Sequence, residues 1–219
     1  HRNALYNPYA QSPMKLTVED VRKSEMVATP LTRLDICAMS DGAAVCLLAS
    51  KKGIKKIERA SRQDFIPVKI IGIGAGIDAM RMADRPHVDY DTFMAHYATE
   101  HEKSSNETRA YYRLLWDNGF RYPGVHSFRA GRTAGNMAWK HAGIADPLHE
   151  LGFIELHDAY TSSEIQTYED LGLCRYGEGG PFAASGKAFM PGIEYGLNLP
   201  EKPVCPVNPS GGLIACGHP

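Results

Sequence analysis

The sequence predicts an α/β fold. One observation is a set of short β-branched or apolar runs bounded by glycine, as in Pro67-Val68-Lys69-Ile70-Ile71-Gly72-Ile73-Gly74 and at residues 153–156. Another is the presence of longer stretches with helical spacing and glycine stops, at residues 131–141 and 161–172. Strands that alternate with helices point to a layered architecture. The composition agrees: 43% hydrophobic and 22% charged residues in 219 are enough for one good core or two small ones.

Thr17, followed by Glu19 and Asp20, caps a short helix to about Lys23. The apolar run 45–48, with Gly42 before it, suits a buried strand. Lys51, Lys52, Lys55 and Lys56 form a basic connector, read as a solvated helix face or loop and not as an anion site. Residues 67–74 are a strand. Gly72-x-Gly74-x-Gly76 lacks the full dinucleotide spacing and the later acidic partner, so nucleotide binding is rejected.

Residues 77–132 are an unusually long connection, which must hold helices of its own or pack on a partner. Tyr111 with Leu115 and Tyr112 with Trp116 predict a helix over 106–117, stopped by Gly119. His87, His96 and His101 are too far apart to share a helix face, so they are read as surface histidines and no metal is expected. A helix over 131–141 ends at Gly143, and 153–156 is a buried-type strand. Thr161-Ser162-Ser163-Glu164 reads as a capping box, with Ile165, Tyr168 and Leu171 as the apolar stripe that follows.

His157 thus sits between the carboxyl end of a strand and a helix, the place where open α/β sheets hold ligands. Asp158 starts the turn in preference to orienting His157. The glycines from Gly177 to Gly196 predict loops bordering the site. Cys205 begins a last strand that turns through Ser210-Gly211-Gly212 into an apolar run, and Gly217-His218-Pro219 presents His218 at a rigid tip.

The formal net charge of −1 gives no case for nucleic acid or an anionic membrane surface. No apolar run approaches the roughly 20 residues of a spanning helix. The five cysteines are odd in number and none sits at metal-ligand spacing, which is read as reduced thiols in a cytoplasmic compartment.

A series of segments then falls into one family order. It runs Asn7-Pro8-Tyr9-Ala10-Gln11, Ser40-Asp41-Gly42-Ala43-Ala44, His157-Asp158-Ala159-Tyr160-Thr161, Tyr168-Glu169-Asp170-Leu171-Gly172-Leu173, Gly177-Glu178-Gly179-Gly180, Asn208-Pro209-Ser210-Gly211-Gly212-Leu213 and Gly217-His218-Pro219. Together they resemble the thiolase superfamily, most closely its lipid-transfer-protein (SCP2-type) branch. The resemblance implies a layered αβαβα fold. Residues 1–58 would be the end of the N-terminal half, and 59–219 an incomplete C-terminal half with an insertion at about 77–132. It implies an acyl-CoA thiolase that cleaves or forms 3-oxoacyl-CoA, with coenzyme A as substrate and no permanently bound cofactor.

By the same resemblance His218 is the partner of a nucleophilic cysteine lying in the part of the first half not present here, and a second cysteine follows Gly-His-Pro. His157 is the second catalytic donor, and Asn208, Gly211 and Gly212 border the substrate. Cys216 is a small buried residue. A homodimer or tetramer is implied, as is a small zinc-ribbon/OB-fold partner that handles acyl-CoA. The alternatives are a thiolase-like retro-aldolase on a branched or steroid-type acyl-CoA, and a non-catalytic scaffold subunit.

Overall fold

The computed structural model describes residues 1–60, 66–81, 89–91, 94, 106–118, 129–193 and 197–219. The chain is of mixed helix and strand, consistent with the expected α/β class. Helix α1 (Val18–Lys23) has the cap its sequence specifies: Thr17 Oγ1 accepts from Asp20 N at 3.2 Å, and the Asp20 carboxylate accepts from Thr17 N at 2.7 Å. Strands β1 (Met26–Ala28) and β2 (Leu31–Thr32) form an antiparallel hairpin, and a 3-10 turn at Arg33–Asp35 follows.

The basic connector is helical as α2 (Lys51–Ala60). Then come α3 (Asn106–Asp117), α4 (Arg129–Ala142), α5 (Pro147–Glu150), α6 (Thr161–Asp170), α7 (Gly179–Ser185) and α8 (Gly212–Cys216). The helices expected at 17–23, 106–117 and 131–141 are therefore present. Gly143 ends α4 with a positive φ of 73°. Gly119, Gly196, His87, His96 and His101 lie outside the described residues.

Four expectations are corrected. The run at 45–48 makes no ladder, and Val45 is 90% exposed, so apolar character alone did not form a buried strand where no neighbouring strand meets it. Residues 67–74 are extended but unpaired. Here Gly72, Gly74 and Gly76 lie on α4, where a Cβ on each would overlap the carbonyl oxygens of Ala138, Ala134 and Ala130. The glycine spacing is thus a helix-packing seam, closed by Asp78, whose carboxylate accepts from Ala130 N at 2.8 Å.

Third, α6 starts without the box read at 161–164. Thr161 Oγ1 donates instead to Asp35 Oδ1 at 2.9 Å, so a residue 126 positions away takes the hydroxyl. Fourth, the glycine-rich stretch contains α7. Its first amide, Gly179 N, donates to the buried Glu169 carboxylate at 2.8 Å, which supplies the cap that the local sequence lacks. Any Cβ on Gly179 would meet Ile165 O at 2.6 Å.

The main core gathers Leu148, Ile154, Tyr168, Leu173, Phe182, Cys205 and Val207, with the Tyr168 and Phe182 rings edge to face at 4.9 Å. A second cluster docks α3: Tyr112 and Tyr176 are fully buried, and Tyr111 Oη donates to the Tyr176 carbonyl. Isolated bridges join 154 to 207 and 39 to 218 in parallel, and 36 to 160 antiparallel. The N-terminal segment is stitched to the same layer. Asn3 Nδ2 donates to Val207 O, Asn7 Nδ2 to Ser210 O at 2.8 Å, Ser12 N to Ala215 O at 2.9 Å and Gln11 Nε2 to Cys216 O at 2.9 Å.

Candidate active site

His157 follows the short extended segment that includes Ile154. That segment is clamped on Asn208, whose N donates to Ile154 O at 2.7 Å and whose Oδ1 accepts from Leu156 N at 2.8 Å. Glu155 adds a second clamp, accepting from Ser210 N at 2.9 Å and Ser210 Oγ at 2.8 Å. His218 is held by the backbone of residues 38–40, donating its N to Ala38 O at 2.8 Å and accepting from Ser40 N at 3.0 Å. Gly217 makes this approach possible, since a Cβ there would lie 2.5 Å from Ser40 Oγ.

These two arms bring the imidazoles together across 61 residues of sequence. Their Nε2 atoms are 3.2 Å apart, with ring centroids at 5.3 Å and planes at 79°. His157 is exposed and His218 half-buried, so the pair faces outward. His218 Nδ1 lies 2.9 Å from Pro219 O, which can only accept, so that nitrogen carries a proton. In the neutral ring Nε2 of His218 is then the bare acceptor, and His157 Nε2–H donates to it.

Asp158 is 2% exposed, and its carboxylate is engaged by backbone amides and not by the His157 ring. It accepts from Leu213 N at 2.6 Å and from Ile214 N, capping α8. Burial pushes its carboxyl up, with those amides working against the shift. The expected substrate-binding residues are placed within this framework. Gly212 (φ 59°) has no room for a Cβ beside the Asp158 carboxylate, and Gly211 (φ 107°) packs on Ala4. Asn208 (φ 49°) is buried and ties backbone.

Gly212 is thus committed to a contact inside the fold. Asn208 and Gly211 also border a cavity of about 300 Å³ walled by Asp158, Glu164, Tyr168 and Ile214. Burial pushes Glu164 up, opposed by hydrogen bonds from Tyr168 and Asn208.

Glu155, Asn7 and Gln11 were not singled out from the sequence as site supports. Their partners are more than 50 residues distant, and no local spacing announces them. Burial raises the thiols of Cys37, Cys174, Cys205 and Cys216, so none of these is an activated nucleophile. Among the described residues no group of three or more His, Cys, Asp and Glu is placed to hold a metal, and no helix is long and apolar enough to cross a membrane.

Residues 121–219 match the family described as thiolase C-terminal domain-like. The whole chain is 32% identical to an acetyl-CoA acetyltransferase of Methanothermobacter thermautotrophicus, of which it spans 43%. It is 28% identical, again over its whole length, to sterol carrier protein 2 of Oryctolagus cuniculus, of which it spans 31%. The chain therefore spans less than half the length of these relatives. A solved Ltp2-ChsH2(DUF35) aldolase superposes on 99% of this chain and 44% of its own with a TM-score of 0.57, at 23% identity, a likeness of fold. Residues 121–219 thus resemble the thiolase C-terminal domain-like family, and the whole chain is similar to an acetyl-CoA acetyltransferase and to sterol carrier protein 2.

Proposed function

We propose that the protein is an acyl-CoA thiolase, exchanging an acyl group between a 3-oxoacyl-CoA and coenzyme A, in which His157 and His218 are the catalytic residues contributed by this chain. The observation that carries the reading is the 3.2 Å approach of the two Nε2 atoms at an open surface. The nucleophilic thiol is assigned to a part of the protein outside these 219 residues.

In the cleavage direction His218 Nε2 takes the thiol proton, and the thiolate adds to the 3-oxo carbon. The C2–C3 bond breaks, leaving the acyl group on sulfur and an acetyl-CoA enolate. His218 Nε2 is now a donor, as His157 Nε2 already is. Once each ring swings off its partner, an enolate oxygen about 2.9 Å from both nitrogens completes a near-equilateral triangle with them. The proton held on His218 Nε2 passes to C2 and releases acetyl-CoA, after which a second coenzyme A thiol takes the acyl group and its proton returns through His218 to the enzyme sulfur. In the condensing direction the same groups act in reverse.

The deciding experiment is an acyl-exchange assay on the full-length protein with acetoacetyl-CoA and longer 3-oxoacyl-CoA substrates. Thiol-dependent exchange abolished by alkylation supports the thiolase. Cleavage of a 3-hydroxyacyl-CoA to a ketone or aldehyde, unaffected by alkylation, would identify a retro-aldolase. Absence of both, with copurification of an active partner, would identify a scaffold subunit. The superposed aldolase carries DUF35 in its name, and a partner of that type is proposed for this protein as well, with a homodimer or tetramer as the assembly.

A further inference from the structure

We infer that Asp158 is a positioning residue which, through the start of α8, sets the separation of the His157 and His218 imidazoles. The inference rests on the proposed role of that pair, but its structural half is testable without any substrate. Asp158 is the residue after His157, so its main chain moves with that histidine. Its side chain accepts the amide hydrogens of Leu213 and Ile214, the former at 2.6 Å. Helix α8 has five residues, a rod of about 7.5 Å at 1.5 Å per residue, and His218 stands two residues beyond it. A displacement at the start of so short a rod is passed to its far end with little loss.

The far end of α8 is tied to other parts of the chain, by Ser12 N on Ala215 O and Gln11 Nε2 on Cys216 O. Asp158 is therefore a direct tie between the segment carrying His157 and the start of α8, beside the Asn208 and Glu155 clamps on residues 208–210. Its fit is steric as well as polar. Gly212 leaves space for both carboxylate oxygens, and any Cβ at 212 would overlap them. The carboxylate and the missing side chain are two halves of one joint. Two amide hydrogens converge on it, that of Leu213 on Oδ1. Asparagine keeps the volume but removes the charge and one of the two acceptor oxygens.

The first readout is the imidazole nitrogen spectrum of the full-length protein, by long-range 1H–15N correlation. The unaltered chain should show His218 protonated at Nδ1 and His157 at Nε2. In Asp158→Asn both rings should move toward averaged tautomers while the circular dichroism spectrum is unchanged. Gly212→Ala should do the same from the opposite side of the joint. Asp158→Ala combined with Gly212→Ala should add to Asp158→Ala alone only the backbone strain of alanine at φ 59°, because the obstructing carboxylate is gone. In the full-length protein Asp158→Asn should lower kcat by about 100-fold with KM little changed, as expected when reacting groups are misplaced by about 1 Å.

Folded Asp158→Asn and Gly212→Ala proteins with unaltered tautomers would overturn the positioning role. So would strict additivity of the double substitution. If the tautomers shift but His157→Ala and His218→Ala leave exchange activity intact, the positioning stands and the thiolase reading falls.

Discussion

Single residues carry the chemistry here, and their partners decide what each can do. His218 is fixed in one tautomer by a carbonyl, and His157 supplies the hydrogen that its Nε2 accepts. In the full-length protein His157→Ala should lower kcat by about 100- to 1000-fold, the usual cost of one oxyanion donor, with the fold retained because the ring is exposed. Steady-state kinetics beside a thermal melt checks this. His218→Ala should also abolish alkylation of the essential thiol at neutral pH, since the thiol loses its base.

Glu164 offers a pH test. Burial raises its folded pKa above the unfolded value, so its contribution to stability is fully present below the unfolded pKa. That contribution is lost as pH rises through the folded pKa. Tyr168, Asp158 and Asn208 face this carboxyl. Glu164→Gln keeps an acceptor for the Tyr168 hydroxyl and carries no charge. Urea denaturation from pH 4 to pH 8 should therefore show a flatter decline in the variant, and a steeper one would contradict the assignment.

At the scale of elements, propensity and capping located helices where the cap was local and misjudged them where it was remote. Thr17 and Asp20 are three residues apart, and α1 starts where they place it. The start of α6 looked equally local, yet Thr161 turns its hydroxyl to Asp35, and α7 forms among glycines because Glu169 reaches across to Gly179. Such partners belong to the folded arrangement and have no trace in neighbouring sequence. The histidine pair was legible because the boxes around 157 and 218 follow a family order. The clamps by Glu155, Asn7 and Gln11 were not, being long-range contacts of ordinary residue types.

Two elements can be broken selectively. Tyr112→Ala in α3 removes a ring that is 1% exposed and should cost about 3 kcal/mol, read by chemical denaturation. Gly74→Val, at the seam with α4, should cost about 1–3 kcal/mol or more, because the added atoms meet backbone carbonyls that cannot rotate away.

For the molecule as a whole, one layer gathers segments from both ends of the chain. Residues 1–12 and 36–40 run beside 154–160 and 205–218, so the N-terminal segment holds the C-terminal segment in place through Asn3, Asn7 and Gln11. Residues 1–12 pack against 205–218, across the division expected near residue 58. The relatives named above are more than twice as long as this chain.

The glycine seam has a consequence for register. Two residues of extended chain advance about 6.6 Å, and four residues of α-helix about 6 Å. Gly72, Gly74 and Gly76 descend on Ala138, Ala134 and Ala130 like the two scales of a vernier, slipping out of step by roughly 0.6 Å at each mark. Coincidence over three marks is near the limit such scales allow. A slide of one residue would drive the isoleucines at 71 and 73 into the helix backbone, so this contact works as a ratchet that admits one setting.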